Sequence, residues 1–310
     1  MGMSWTSYAA SLFGAVKAAG MYEDDLTMMM GETGIIFHFI IEKNSCPSGP
    51  TVYNWQHEHL EMTDRIGIAS SIHMIHKDPR YNTFAAAQTY GINRIRESID
   101  SGSPVIVWAP SPIPEFGLIT GYDDNDGIFF TVDCMPEESD PLLYGNLGVS
   151  EVSIMYVQTL YARVEYDREK TIRNSLRFGL DHWNTGFHES PNYGAGEKGW
   201  ENLIGTLERR DFDGFGLTYT MNLYAESKHK IHDFLKLAAD KHPSLSGLDK
   251  AFESSRETAA QMERITSKLP FRGPGQSSLN TEDVPEILEC VRKAYSAERI
   301  TMKAIETVLE

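Results

Sequence analysis

Cysteine is scarce in this chain of 310 residues, which has only three: Cys46, Cys134 and Cys290. They are widely spaced and odd in number, which argues against a disulfide framework and is typical of a protein kept in a reducing cytosol. The spacings CxxC and HExxH are both absent, so the sequence predicts no zinc site, and we expect no other metal and no cofactor. We therefore predict a cytoplasmic protein.

Long hydrophobic runs and basic residues are also in short supply. No run of about 18 apolar residues occurs, so we expect no membrane span, and the first ten residues lack the basic and apolar regions of a secretory signal. The net charge is −16, which argues against a nucleic-acid partner because the phosphate backbone needs a positive footprint.

The negative charge is concentrated in the first half of the chain. Residues 1–165 hold 8 Lys+Arg against 21 Asp+Glu, a net charge of −13, whereas the remainder carries −3. This asymmetry fits two interpretations. It is either a solvated surface that keeps the protein soluble, or a half that meets neutral and amine-bearing molecules and repels anions.

The first half shows the hydrophobic spacing of helices and then of strands. Helical spacing predicts helices over residues 7–20, 51–67 and 82–102. Apolar and alternating runs predict strands over residues 34–42, 68–76, 104–110 and 151–166, and a hairpin over 114–133 that turns at Asp126-Gly127. We expect these strands to form an antiparallel sheet in sequence order, which is an α+β arrangement.

From Asp167 onward the pattern predicts helices and no strand. Apolar stripes at helical spacing predict helices over residues 168–183, 216–242, 247–269 and 283–309. The segment 270–283 is rich in Pro, Gly and Ser, as is typical of a loop. We therefore predict two domains, an α+β domain over residues 1–166 and an all-α domain over 167–310.

The α+β half resembles a papain-like cysteine-peptidase fold. The resemblance is strongest to the N-terminal domain of the butirosin biosynthesis protein H family, an acyltransferase family, and to bacteriocin-processing peptidase-like proteins. It covers roughly residues 4–165, and the helical remainder resembles the domain that often follows. Three stretches carry it: SWTSYAASLFGAVKAAG (4–20), GETGIIFHFIIEKNSCPSGPTVYNW (31–55) and SGSPVIVWAPSPIPEFGLITGYDDNDGIFFTVD (101–133).

The resemblance implies a catalytic triad, but this chain departs from it. In such a site a thiol lies at a helix N-terminus, where the macrodipole lowers its pKa, an imidazole deprotonates it, and an Asp or Asn orients the imidazole. The matching positions here hold Ser7, Glu115 and Asp133. Two of the three groups are changed, which argues against papain-type proteolysis.

An altered triad of this kind has two open interpretations. An unperturbed Glu, with a pKa of about 4.3, is a weak base toward a serine hydroxyl. Two close carboxylates resist ionising together, so Glu115 beside Asp133 is a candidate general acid, or the ionised pair is a candidate amine site. In the other interpretation, Ser7 only caps or packs at a helix start and Glu115 faces solvent. Cys46, in the turn NSCPSGP, is a rival nucleophile.

The histidines do not favour a metal site. His57 and His59 point about 200° apart on a helix, and His73 and His76 face opposite sides of a strand. His38, between two phenylalanines, is typical of a buried histidine. None of these pairs is therefore a predicted ligand set.

We predict a bacterial protein of secondary metabolism that performs amide or thioester chemistry on a small molecule or an acyl-carrier substrate. It would be an acyltransferase or amidohydrolase, not a standard Cys-His peptidase. The alternative is a catalytically silent relative that only binds a small molecule. A third hypothesis is that residues 167–310 dock another protein.

Overall fold

The computed structural model describes residues 4–77, 82–134, 140–186 and 190–310. Most of the helices predicted from the sequence are confirmed, with ends within a few residues of the expected ones. Among the described residues, none of the helices is both long and apolar enough to cross a membrane. The helices are α1 Ser7–Ala18, α2 Leu26–Thr33, α3 Trp55–Arg65, α4 Phe84–Asp100, α5 Arg168–Thr185, α6 Glu197–Arg209, α7 Gly214–Lys241, α8 Asp249–Lys268 and α9 Val284–Leu309.

The strands form a six-stranded antiparallel sheet and a separate two-stranded one. The large sheet has the order β2-β7-β3-β4-β5-β6, and the small sheet pairs β1 with β8. The chain is thus a mixed α and β protein with an antiparallel sheet and a helical C-terminal region, as the sequence predicts. The strands are β1 Ile40–Glu42, β2 Ile68–His76, β3 Val105–Trp108, β4 Phe116–Asp123, β5 Ile128–Val132, β6 Leu142–Leu143, β7 Ile154–Arg163 and β8 Tyr193–Ala195.

Contacts within the chain divide it into two compact units. The first unit contains residues 1–29 and 54–166, and the second contains 30–53 and 167–310. The sequence analysis assigned residues 30–53 to the first domain, and the structure places them in the second unit. The two divisions share the break after Tyr166.

Backbone hydrogen bonds explain why residues 30–53 belong to the second unit. Strand β1 pairs with β8. The Tyr224 hydroxyl both donates to the carbonyl oxygen of Ile40 and accepts from its N–H, at 2.8 and 2.9 Å. The Asn202 amide donates to the carbonyl oxygen of Ile41 at 2.9 Å. These partners, distant in sequence, form hydrogen bonds with the backbone N–H and carbonyl groups of β1. No local pattern in the sequence predicts them.

Alternation along the strands builds the core of the first unit on both faces of the large sheet. On one face, Val105, Val107 and Val157 pack with Ile95 of α4. On the other face, the ring of Phe116 contacts those of Trp108, Tyr156 and Tyr8 of α1. Helices therefore cover both faces of the sheet where β3, β4 and β7 adjoin, as period-two burial requires.

The second unit is built around a buried ion pair enclosed by aromatic rings. Lys228 of α7 lies 2.5 Å from Glu298 of α9, and both side chains are buried. The ammonium group also lies 4.5 Å from the ring centre of Phe39 and 5.7 Å from that of Trp200. A buried charge is tolerated only when it is paired in this way, so the pair fixes α7 against α9.

Three expectations about strands were wrong. The run 34–42 is not one strand: Gly34 adopts a φ of 83°, residues Ile35–Phe37 form a 3-10 turn, and only Ile40–Glu42 forms a strand. A continuous apolar run does not distinguish a strand from a buried turn. Second, the helical half is not free of strands, because β8 pairs with β1.

The third correction concerns the order of the sheet. We expected the strands to follow sequence order, yet β7 lies between β2 and β3. Helix α4 connects β2 to β3 across one face of the sheet, which allows the two strands to lie two positions apart. The hairpin of β4 and β5 is confirmed, and its turn ends at Gly127 with a φ of 65°. Helices α2 and α6 and strand β6 are not among the elements predicted from the sequence.

Replacing Gly216 tests the packing of residues 43–48 on α7. A Cβ atom at Gly216 would lie 2.0 Å from the carbonyl oxygen of Ser45. Because that neighbour is backbone, we expect Gly216→Ala to lower the free energy of unfolding by about 2 to 3 kcal/mol. Gly205→Ala is the control, since its Cβ would meet only the guanidinium end of Arg209 and should change stability by less than about 1 kcal/mol. Equal urea midpoints for the two variants would contradict this packing.

Candidate functional site

Ser7 lies at the first turn of α1, in the buried interior of the first unit. Its side chain is 6% exposed. Thr6, not Ser7, stands at the N-cap position of the helix, and it makes no side-chain capping hydrogen bond. The Ser7 hydroxyl is thus not used to cap the helix, which removes one of the structural roles that the sequence left open.

The Ser7 hydroxyl is bound to Glu115 instead. It donates a hydrogen bond to the Glu115 carboxylate over 2.5 Å. The same oxygen accepts a hydrogen bond from the backbone N–H of Phe116 over 3.1 Å. Glu115 is half-buried and does not simply face solvent. Two residues separated by 108 positions are therefore joined by a direct hydrogen bond.

The loop between β3 and β4 holds Glu115 in place. The N–H of Ala109 donates to the carbonyl oxygen of Glu115, and the N–H of Glu115 donates to that of Ile113, both at 2.8 Å. Ala109 has a φ of 47°, a left-handed value that is uncommon outside glycine. A Cβ at Gly117 would lie 2.6 Å from Pro110, so glycine there allows the loop to fold back on β4. The carboxylate is thus presented by a constrained loop.

Asp133 directly follows β5, the strand that pairs with β4. The register pairs Leu118 with Val132, which puts Asp133 level with Gly117 and near the start of β4. Its side chain is buried, with 3% exposed. Glu115 and Asp133 therefore lie at the same end of the hairpin, and the hydrogen bond to Glu115 brings Ser7 of α1 to that end.

The pKa of Cys134 is affected by the negative charges near it. Burial, followed by the negative charges of Glu115 and Asp133, raises the pKa of the Cys134 thiol to about 11. A thiol in such surroundings stays protonated at neutral pH and is a poor nucleophile. Glu115 and Asp133 are thus each close enough to Cys134 for their charge to act on its thiol.

A buried network of hydrogen bonds begins at Tyr8, the residue after Ser7. We did not predict it from the sequence. The Tyr8 and Tyr156 hydroxyls both donate to the Gln158 side-chain oxygen, at 3.0 and 2.8 Å. The Gln158 amide donates to Ser70 at 3.2 Å. The His59 ring stacks on Tyr8 at 3.4 Å, and its Nδ1 lies 2.7 Å from the Tyr156 hydroxyl. A glutamine inside the apolar strand IMYVQTLYA was the signal that could have revealed it.

This network also decides the chemical role of His59. The Tyr156 O–H already donates to Gln158, so the hydroxyl oxygen accepts from the Nδ1–H of His59. The ring is then held in a structural arrangement. Burial raises the pKa of Tyr8 above its ordinary value, so its hydroxyl remains a donor.

Cys46, the rival nucleophile, lies in the second unit. Its thiol contacts the Ser48 hydroxyl at 3.1 Å, and its backbone N–H donates to the Glu42 carboxylate at 3.3 Å. Neither partner is an imidazole or a cation, the groups that activate cysteine nucleophiles. The contacts of Cys46 therefore favour a structural role for its turn. All three cysteines of the chain are free thiols.

The histidines that the sequence singled out lie in different surroundings. His57 is exposed and pairs with Glu61 at 3.3 Å, whereas His59 is buried, so the two point apart as predicted. His38 is buried beside His182 and Tyr53. Within the described parts of the chain, no group of three His, Cys, Asp or Glu residues is placed to hold a metal ion.

Comparison with known proteins adds no relative, because no protein-family model and no curated protein matches the chain. The site holds a buried serine hydroxyl bonded to a carboxylate, and the strand pairing brings a second carboxylate, Asp133, to the same end of the hairpin. A hydroxyl in contact with a carboxylate is the pair of groups that a serine nucleophile and its base would require.

Neutralising Glu115 should make Cys134 more reactive. Negative neighbours favour the neutral thiol, so Glu115→Gln should lower the pKa of Cys134 from about 11, and each unit of decrease raises the thiolate fraction about tenfold. We expect alkylation of Cys134 by iodoacetamide near pH 9, followed by peptide mass spectrometry, to be several times faster in this variant.

Glu151→Gln is the matched control, because Glu151 is an exposed carboxylate of the same unit. Its alkylation rate at Cys134 should equal that of the wild type. If Glu115→Gln also leaves the rate unchanged, the charge of Glu115 does not act on this thiol and the described cluster is wrong.

Proposed function

We propose that the first unit is a papain-like domain with an altered triad, which performs acyl chemistry on amide or thioester bonds of a small molecule or an acyl-carrier substrate. Ser7 is the nucleophile, Glu115 is the group that takes its proton, and Asp133 supplies the second carboxylate. The observation that carries the proposal is the 2.5 Å hydrogen bond from the Ser7 hydroxyl to Glu115. A nucleophile within hydrogen-bond reach of its base is the diagnostic arrangement for covalent catalysis.

The proposed reaction has two steps. The Ser7 oxygen attacks the acyl carbon while its proton passes to Glu115, and the proton then passes to the departing thiol or amine as the carbon–sulfur or carbon–nitrogen bond breaks. Water or an acceptor amine then attacks the acyl carbon and gives a proton to Glu115, and the proton passes to the Ser7 oxygen as the ester carbon–oxygen bond breaks. Backbone N–H groups at the positive end of α1 would stabilise the oxyanion.

Glu115 must be ionised to accept the proton. An ordinary carboxylate is a much weaker base than imidazole toward a hydroxyl, so we expect slow turnover that favours an activated acyl donor such as a thioester. This preference distinguishes the proposal from proteolysis of unactivated peptide bonds. The three free thiols support a reducing, cytosolic setting.

A second candidate function is ligand binding without turnover. It is favoured by the burial of Ser7 and by the hydrogen bond that its oxygen already accepts from Phe116. In this case Glu115 and Asp133 would bind a substrate amine, because two carboxylates form a favourable site for a cation. The same residues are used, but the serine contributes only packing.

Intact-protein mass spectrometry separates the two candidates. The protein is incubated with a panel of acyl-pantetheine thioesters. The enzyme proposal predicts a mass increase of one acyl group, lost in Ser7→Ala and in Glu115→Gln and retained in the control Cys46→Ala. The acyl group should map to the peptide that contains Ser7.

Two results would contradict the enzyme proposal. An adduct lost in Cys46→Ala would assign the nucleophile to the second unit. No adduct with any thioester would favour the binding function, which predicts that Ser7→Ala keeps the affinity for an amine ligand while Glu115→Gln weakens it. That affinity is measured by isothermal titration calorimetry.

A further inference from the structure

A groove runs along one face of α9 in the second unit. Its volume is about 850 Å³, and its walls come from the end of α5, the first residue of α6, the turn Pro243–Leu248, the start of α8 and α9 itself. This volume lies within the range of small-molecule sites. None of the residues argued above for the acyl chemistry lines it.

The sequence of α9 explains why this face is unusual. Ser296, Arg299, Ile300, Lys303 and Thr307 all line the groove, and their spacing places them on one stripe of the helix. Ile300 is 54% exposed in this stripe. An aliphatic side chain between two cations on an open surface is the pattern of an amphipathic binding wall.

The charges of the groove do not cancel. Arg299 pairs with Glu197 at 3.3 Å, and Lys303 pairs with Glu306 at 2.6 Å. Lys250 also lines the groove and is exposed, and it makes no ion pair within the described residues. The lining therefore carries one unit of uncompensated positive charge, although the whole protein carries −16.

An apolar wall adjoins this positive charge. Leu180 and Trp183 of α5 and Val308 of α9 line the groove together with Ile300. Ile300 is exposed, Leu180 and Val308 are half-buried, and Trp183 is largely buried. Covering this wall with an aliphatic chain therefore removes mainly the apolar surface of Ile300, Leu180 and Val308 from water. The groove therefore combines the two features that an amphipathic anion requires.

We propose that the groove binds a free monocarboxylate with an aliphatic chain of medium length. The carboxylate pairs with Lys250, and the chain covers the wall formed by Leu180, Trp183, Ile300 and Val308. A single negative charge matches the single uncompensated cation. This site is separate from the proposed acyl chemistry, and neither proposal depends on the other.

Calorimetric titration of the full chain with octanoate tests the proposal. We expect octanoate to bind, acetate to bind at least tenfold more weakly because it lacks the chain, and octylammonium not to bind because its charge has the wrong sign. The fluorescence of Trp183 should change on titration with octanoate, and the change should disappear in Trp183→Phe.

Matched variants locate the binding. Lys250→Gln and Ile300→Ser should each weaken octanoate binding about tenfold, whereas Lys236→Gln, at an exposed lysine of α7, should leave it unchanged. Ser7→Ala should also leave it unchanged, which separates this result from that of the acyl site. Since Lys250, Ile300 and Lys236 are all exposed, these variants should fold as the wild type does, as circular dichroism will show.

Three outcomes would overturn the proposal. Octanoate does not bind the wild type, octylammonium binds as tightly as octanoate, or Lys250→Gln leaves octanoate binding unchanged. The second outcome would show only an apolar patch, and the third would show that the uncompensated charge plays no part.

Discussion

The first unit depends on a hydrogen bond between Tyr8 and Gln158, which ties the start of α1 to the central strand β7. Gln158 also accepts from Tyr156, and Tyr156 contacts His59, so these side chains form one connected network. A connected network of buried hydrogen bonds favours one arrangement of the chain, because a shift would leave a buried polar group without its hydrogen-bond partner. Because Ser7 precedes Tyr8, this network also determines where the serine hydroxyl points.

The same constraint gives the candidate site its chemistry. With α1 anchored, the Ser7 hydroxyl meets the loop that presents Glu115, and the hydrogen bond of 2.5 Å follows. Asp133 follows the neighbouring strand β5, and the register of the hairpin places it near the start of β4. A papain-like site places a thiol, an imidazole and a carboxylate in such positions, as the sequence resemblance implies. In the site proposed here, a hydroxyl and a second carboxylate would occupy two of these positions, and the proposed chemistry therefore calls for an activated acyl donor.

The core of the second unit contains a buried ion pair. Lys228 and Glu298 form a buried pair between α7 and α9, and the aromatic rings of Phe39 and Trp200 surround the ammonium group. Phe39 directly precedes β1, so the pair also positions the segment that the sequence analysis assigned to the other domain. The outer face of α9 remains open and forms the wall of the groove.

Local patterns predicted the elements whose signals are local. The strand Ile68–His76, the hairpin of β4 and β5 with its turn at Gly127, and helix α9 were predicted from apolar spacing and turn residues. The strand Tyr193–Ala195 contains only three residues and exists because β1 pairs with it, so no local signal announced it.

The candidate site was accessible from the sequence only in part. Ser7, Glu115 and Asp133 came from the resemblance, because no local rule connects residues 108 positions apart. The network around Gln158 was missed, although a glutamine within a buried strand requires partners. Which partners it finds depends on the order of strands in the sheet, and that order was predicted wrongly. Long-range polar contacts thus mark the limit of what the sequence reveals.

The central claim is that Ser7 and Glu115 form one interacting unit, and a double-mutant cycle on the free energy of unfolding tests it most directly. Urea unfolding of the wild type, Ser7→Ala, Glu115→Ala and the double variant gives the coupling between the two side chains. A hydrogen bond to a charged acceptor should give a coupling of about 1 to 3 kcal/mol. If the two single effects add to the double effect within about 0.5 kcal/mol, the two residues do not interact and the site described above does not exist.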